Sequence, residues 1–231
     1  MKEPIIISLG GSLIIPKSTG QINVSYLSSL KALLESHISQ GKRFFIIAGG
    51  GKTARDYQQA GSTVTDLENT DLDWLGIHAT RLNAQLIRYI LKDYSYPEVI
   101  TNPTLDHEES EEFSVVVAAG WHPGNSTDYI AVKLAEKHGI QKVINLSNID
   151  YVYTKDPNKY DDAEKIESIS WADFRTMVGD SWDPGASAPF DPIASKEADQ
   201  LQLEVAILNG ENIENLDAYI SGEEFQGTII S

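Results

Sequence analysis

The chain has no cysteine. That excludes disulfides, thiolate metal sites, iron–sulfur ligation and cysteine nucleophiles. Positive charge is scarce: 18 Lys and Arg stand against 34 Asp and Glu, a net charge of −16. So anionic a surface repels polyanions, which argues against nucleic acid as a partner. A small phosphorylated ligand is compatible with it, because a few backbone N–H groups and cations suffice locally. No apolar run reaches the ~18–20 residues needed to span a bilayer, so no membrane partner is expected. Internal repeats and a linker rich in Pro, Gly and Ser are missing too. The opening MKEPIIISLGGSLIIPK couples a basic residue to apolar runs. Glu3 and Pro4 precede those runs, glycines split them, and no small-residue cleavage site follows. The expectation is a buried first strand in a cytoplasmic protein.

What is present is ordinary globular material: 231 residues, 41% hydrophobic and 23% charged. That is enough for one large α/β domain or two small ones. Pro4 to Leu9 is β-branched and ends at two glycines, the pattern of a central parallel strand. Leu27, Leu30, Leu34 and Ile38 mark a helix over 24–39, stopped by Gly41. Arg43 to Ala48 is a second buried strand, and Lys52 to Gln59 reads as the helix after it. A longer helix is expected over 73–91, a short strand over 98–101, and a solvated acidic loop over 107–112. Strand 113–119, loop 120–127, helix 128–138 and strand 142–146 follow. Helix 169–178, with a Ser170/Asp173 capping box, helix 191–202 entered through Pro192, strand 203–208 and a strand-like 227–230 complete the order.

Three turns follow buried strands: Gly10-Gly11-Ser12, Gly49-Gly50-Gly51 and Gly120 to Gly124. Glycine lets a ligand approach the main chain, and a helix starting at such a turn points free N–H groups at an anion. Ligands of open α/β sheets sit at the carboxyl ends of the strands, where all three turns fall. Gly51-Lys52-Thr53 is not a Walker A end, since that spacing needs glycine where Ile46 stands. Gly49 to Ala54 does fit the dinucleotide pattern G-x-G-x-x-A, but after the second strand instead of the first.

The ordered set GGS, GGGKTAR, D-x-LGI-x-ATRLNA, GWHPGNSTD, SNIDYVYTKDP and DPIASK resembles the amino acid kinase superfamily. Within it the likeness is to the archaeal-type uridylate (UMP) kinases, over nearly the whole chain. The resemblance implies one domain over 1–231, a three-layer αβα sandwich around a mainly parallel sheet. Its N-terminal half would bind the acceptor and its C-terminal half ATP. The implied reaction is ATP + UMP → ADP + UDP, with magnesium as cofactor, in a homo-oligomer, commonly a hexamer. Other acceptors, or a non-catalytic nucleotide-binding or storage role on the same scaffold, are the alternatives.

Carried over by position, the resemblance implies that Gly10, Gly11 and Ser12 form the first phosphate loop. Gly50 would touch UMP, and Gly51 and Arg55 would touch ATP. Asp73 would bind the UMP ribose. Trp121, His122, Pro123, Gly124, Asn125, Ser126 and Thr127 would surround the uracil and acceptor phosphate. Ser147, Asn148, Tyr153 and Asp156 would form the ATP nucleoside site. Asp128 and Asp191 would stand near the reaction centre and hold the metal. Arg55 would supply a cation there, and Lys196, by its spacing five residues past Asp191, could reach the phosphates. The residues are suited to these roles: Arg55 lies one helical turn past Gly51, where its guanidinium can turn back to the same anion. His122 suits a donor to phosphate better than a base, because an ionised acceptor phosphate needs none. Three positions depart from the family pattern. Ser8 stands where many relatives carry lysine, Tyr151 replaces a glycine, and Trp121 replaces a threonine.

Overall fold

The structure, a computed structural model, describes residues 3–157, 159–179 and 188–231. Strands β1 (Glu3–Leu9), β2 (Lys42–Ala48), β3 (Val115–Ala118) and β4 (Lys142–Ser147) are parallel to one another. A short antiparallel pair, β5 (Val152–Tyr153) and β6 (Lys165–Ile166), stands apart. β7 (Ser168–Ile169), β8 (Glu204–Asn209) and β9 (Thr228–Ile230) extend the main sheet, whose order is β3-β2-β1-β4-β8-β9-β7. Within this sheet, among the described residues, only the β8–β9 pairing is antiparallel. The chain winds outward from β1 in both directions, so the topological switch lies between β1 and β4.

Among the described residues, eight α-helices flank the strands. α1 (Gly11–Ile14), α2 (Val24–Ser39) and α4 (Asn69–Ile90) lie on one face with α8 (Ile213–Ser221). α5 (Thr127–His138), α6 (Trp171–Val178) and α7 (Pro192–Gln200) cover the other. α3 (Gly51–Val64) packs outside, against α4, and buries no residue fully. The expected three-layer sandwich with a mainly parallel sheet is therefore observed. Its cause is visible in β2: Phe44, Ile46 and Ala48 feed one core and Phe45 and Ile47 the other. A strand apolar on both faces demands helices on both.

Local differences from the sequence expectations have physical reasons. Residues 98–101 form only an isolated bridge, Ile100 to Ala118, beside β3. The acidic run coils into a 3-10 turn at Glu108–Glu112. There Ser110 is buried and its carbonyl accepts from Arg43 Nη2 at 3.0 Å. α6 begins at Trp171, because Ser168 and Ile169 pair with β9 first. Ser170 caps it as expected, accepting from the Asp173 N–H at 3.1 Å. α3 runs on to Val64, and α4 starts at Asn69 on a Glu68/Asp71 capping box. α1, α8, β5, β6 and β7 are additional to the expected elements.

Candidate functional site

The turns after β1 and β2 are packed backbone to backbone. A Cβ on Gly11 would strike the backbone of Gly49 and Gly51, and one on Gly51 would strike Gly11. Gly51 also takes φ +59°, a region that disfavours side chains. The Gly49 N–H donates to the Leu9 carbonyl at 2.8 Å, and the Gly10 N–H to the Leu146 carbonyl at 2.9 Å. The carboxyl ends of β1, β2 and β4 are thus tied together. Asn83 on α4 donates from Nδ2 to the carbonyls of Gly49 (2.7 Å) and Gly50 (3.3 Å). α3 starts at this turn, and its first N–H groups have no partner within the helix.

Beside that start lies a cleft of about 260 Å³. α3 lines it with Gly50, Gly51, Ala54, Arg55 and Gln58, and α4 with Asp73, Gly76, Ile77 and Thr80. The third wall is the loop after β3, through Gly120, His122, Asn125, Ser126 and Thr127. α4 clamps this loop at successive turns. Thr80 Oγ1 accepts from the Gly120 N–H at 2.8 Å and donates to the Ile77 carbonyl at 2.7 Å. Arg81 donates from Nε to the Gly120 carbonyl (3.1 Å) and from Nη2 to the Trp121 carbonyl (3.0 Å). Asp73 Oδ2 accepts from the Gly124 N–H at 2.9 Å.

The cleft has a chemical polarity. The α3 start and the exposed Arg55 offer donors and positive charge, which suit an anion. The loop side offers acceptors. Asn125 Oδ1 is buried without a partner, while its Nδ2 donates to the Gly124 carbonyl at 3.3 Å. An unpartnered acceptor repels phosphate and calls for an N–H or O–H donor. A larger concavity of about 510 Å³, between α2 and α8, is lined by Glu211 and Glu214 and by no cation. Its charge is the wrong sign for phosphates.

Next to the glycine turns two acids meet. Asp128, in the first turn of α5 after the N-cap Ser126, is half-buried. Its Oδ1 accepts from Ser8 Oγ (2.9 Å) and Asn145 Nδ2 (3.1 Å), and its Oδ2 from the Asp191 N–H (3.2 Å). Loss of hydration pushes its pKa up to about 6; the Ser8 hydrogen bond opposes this, the Asp191 charge adds to it, and the Asp191 N–H opposes it. Asp191 is buried and caps α7, accepting from the Ala194 N–H at 2.8 Å. Among the described residues no group of three or more His, Asp or Glu could cage a metal. Two neighbouring carboxylates instead fit a divalent cation that arrives on phosphates and takes one or two protein ligands. Such an ion would offset the repulsion between them.

Of the residues singled out by sequence, Gly50, Gly51, Arg55, Asp73, His122, Asn125, Ser126 and Thr127 share the one cleft. Trp121 does not line it; its ring packs on the core that contains α5, 4.1 Å from the His122 ring. His122 donates from Nδ1 to the Pro123 carbonyl at 2.9 Å. Pro123 and Gly124 shape the loop behind the cleft. Gly10, Gly11 and Ser12 follow β1, while Ser147 ends β4 and accepts from the Ile149 N–H at 3.3 Å. Asn148 is exposed, and Tyr153 sits half-buried in β5, edge-on to Tyr151 at 6.5 Å. Asp156 pairs with Lys159 at 3.3 Å. Lys196 is exposed on α7, and Lys52 is ion-paired with Asp56 at 2.6 Å. The sequence singled out none of Thr80, Arg81 and Asn83, although all three lie in the run ATRLNA at 79–84. Gln58, Ser8 and Asn145 gave no local signal of their partners.

Main-chain hollows for anions at the carboxyl edge of a parallel sheet, beside two acids, define a phosphate-handling α/β protein. The chain belongs to the amino acid kinase family, whose profile matches residues 3–209. It is 34% identical to the uridylate kinase of Hyperthermus butylicus over 233 residues, covering 100% of this chain and 99% of the relative. It is 35% identical to the uridylate kinase of Methanocaldococcus jannaschii, covering 98% of each. The solved structure of uridylate kinase from Archaeoglobus fulgidus superposes with a TM-score of 0.82 at 29% identity, covering 100% of both chains.

Proposed function

We propose that the chain is an ATP-dependent UMP kinase: ATP + UMP → ADP + UDP. The observation that carries this reading is the polarised cleft, with donors and Arg55 on one side and the acceptors Asp73 and Asn125 on the other. A nucleoside monophosphate has the complementary layout, an anion at one end and hydroxyl or imide donors at the other. The full-length similarity to uridylate kinases supports the same choice.

An ionised phosphate oxygen of UMP attacks the γ-phosphorus of ATP. A new P–O bond forms, the bond to the β,γ-bridging oxygen breaks, and ADP leaves with the electron pair. No proton has to be removed from the nucleophile, so the protein's work is alignment and charge cancellation. In this reading the α3 start and Arg55, which the resemblance assigns to ATP, grip the acceptor phosphate instead, because they line the same cleft as Asp73 and Asn125. Asp73 and Asn125 receive ribose and base donors. The hollow after β1 and the segment from Ser147 to Asp156 hold ATP across the switch between β1 and β4, so that acceptor and ATP halves meet there. Asp128 and Asp191 would hold magnesium, which supplies positive charge to the phosphate oxygens when bound. Lys196, exposed on the next turn of α7, is placed to follow the phosphates once they are bound.

A homo-oligomer in the cytoplasm belongs to the same reading. Trp74, Leu82 and Tyr89 form an exposed stripe along α4. Residues 74–90 contain two arginines and no acid, in a chain of net charge −16. Two copies meeting on an acid-free stretch repel each other less than over acid-rich surface. The test of function is direct. Purified protein with ATP, magnesium and a panel of nucleoside monophosphates should form UDP fastest. Turnover of CMP or GMP without UMP, or nucleotide binding without turnover, would overturn it.

A further inference from the structure

Ser8 and Asn145 are polar residues in strands whose neighbours are apolar. Ile6 and Ser8 share one face of β1, and Val143 and Asn145 the same face of β4, the face covered by α5 and α7. Both residues are almost fully buried, at 3% and 5% exposure. Burying a hydroxyl and an amide in the middle of a sheet costs stability unless they are hydrogen-bonded, and apolar side chains would fit such a face at lower cost. The strand register sets Ser8 directly opposite Asn145. From those paired positions both donate to one atom, Asp128 Oδ1, at 2.9 and 3.1 Å. The Asp191 N–H holds the other oxygen at 3.2 Å. Three donors from β1, β4 and the start of α7 therefore fix the carboxylate of a residue on a fourth element, α5.

We infer that Ser8 and Asn145 are positioning residues: they lock the Asp128 carboxylate in the orientation that phosphoryl transfer uses. The inference rests on the reading of Asp128 as part of the reaction centre. It also gives a role to the position where many relatives carry lysine. A lysine would meet Asp128 as a counter-charge, whereas the serine meets it as an aimed donor and leaves the carboxylate's negative charge available to the site. A donor pair that only filled space would be indifferent to what stands at position 128.

The experiment is steady-state kinetics with UMP and ATP on Ser8→Ala, Asn145→Ala, Ser8→Thr and Asp128→Asn, and on the Ser8→Ala/Asp128→Asn double variant. Thermal unfolding of each is measured alongside. Ser8→Ala and Asn145→Ala are expected to lower kcat by about 10- to 100-fold, as loss of a partner that orients a functional group does. KM for both nucleotides should stay within about twofold, the sign of an interaction used in the transition state. Ser8→Thr, which keeps the hydroxyl, should recover most of kcat. In the Asp128→Asn background, Ser8→Ala should cost little more, because its effect runs through the carboxylate. Alanine variants with wild-type kcat would overturn the inference while an inactive Asp128→Asn left the reading of the site intact. An additive loss in the double variant, or no recovery by threonine, would overturn it as well. An Asp128→Asn enzyme as active as wild type would instead remove the reading of Asp128 on which the inference stands.

Discussion

Arg55 and Asp128 show how differently two charged residues are held. Arg55 is exposed at the cleft, one turn into α3, so its removal leaves the fold intact. Arg55→Ala should lower kcat/KM for UMP by about 30- to 200-fold, the loss of a charge-assisted contact worth ~2–3 kcal/mol. The unfolding temperature should not change, and kinetics with parallel calorimetry check both. Asp128 is held against its own solvation, with a pKa pushed up to about 6. Its pKa is higher folded than unfolded, so the folded state binds the proton more tightly between about pH 4 and 6. Stability from this residue is therefore greatest at low pH and falls as pH rises through about 6. Relative to wild type, Asp128→Asn should gain stability as pH rises from about 4 to 7, by at most ~3 kcal/mol. Denaturant unfolding at the two pH values, without nucleotide or metal, measures the difference.

At the scale of elements, α4 is the part on which the acceptor side depends. One helix holds the Gly49–Gly50 carbonyls through Asn83 and the loop after β3 through Asp73, Thr80 and Arg81. Successive helical turns present these side chains to two separate loops, which a strand of similar length could not do on one face. Arg81→Ala removes two bonds to carbonyls and frees the loop to fluctuate. Ordering that loop then becomes part of binding UMP. KM for UMP should rise by about 10-fold, with KM for ATP within about twofold. Equal weakening of both nucleotides in initial-rate measurements would contradict this division of labour. The strand–glycine–helix alternation and the order of the loops were legible in the sequence, because periodicity and glycine are local signals. The contacts of Arg81 were not, since its partners lie 39 and 40 residues away.

At the scale of the whole molecule, the net charge and the acid-free stretch 74–90 of α4 belong together. A chain of net charge −16 resists self-association except where acids are absent. Leu82 is 65% exposed in the middle of that stretch, so a glutamate there costs the single chain little. Leu82→Glu should convert the proposed oligomer to a species near the 25.5 kDa of one chain. Light scattering at several concentrations checks the mass, and circular dichroism checks the fold.

From its residues alone the chain settled its class: strands apolar on both faces require helices on both sides, and three glycine turns at their carboxyl ends leave room for anions. The motif order carried the family likeness. Only the tertiary structure decided which of those turns adjoin, that Asp73 and Arg81 serve the loop at 120–124, and that Ser8 and Asn145 converge on Asp128. The reason is register. Two strands far apart in sequence set residues opposite one another by hydrogen-bonding along their whole length, and no local pattern records that pairing.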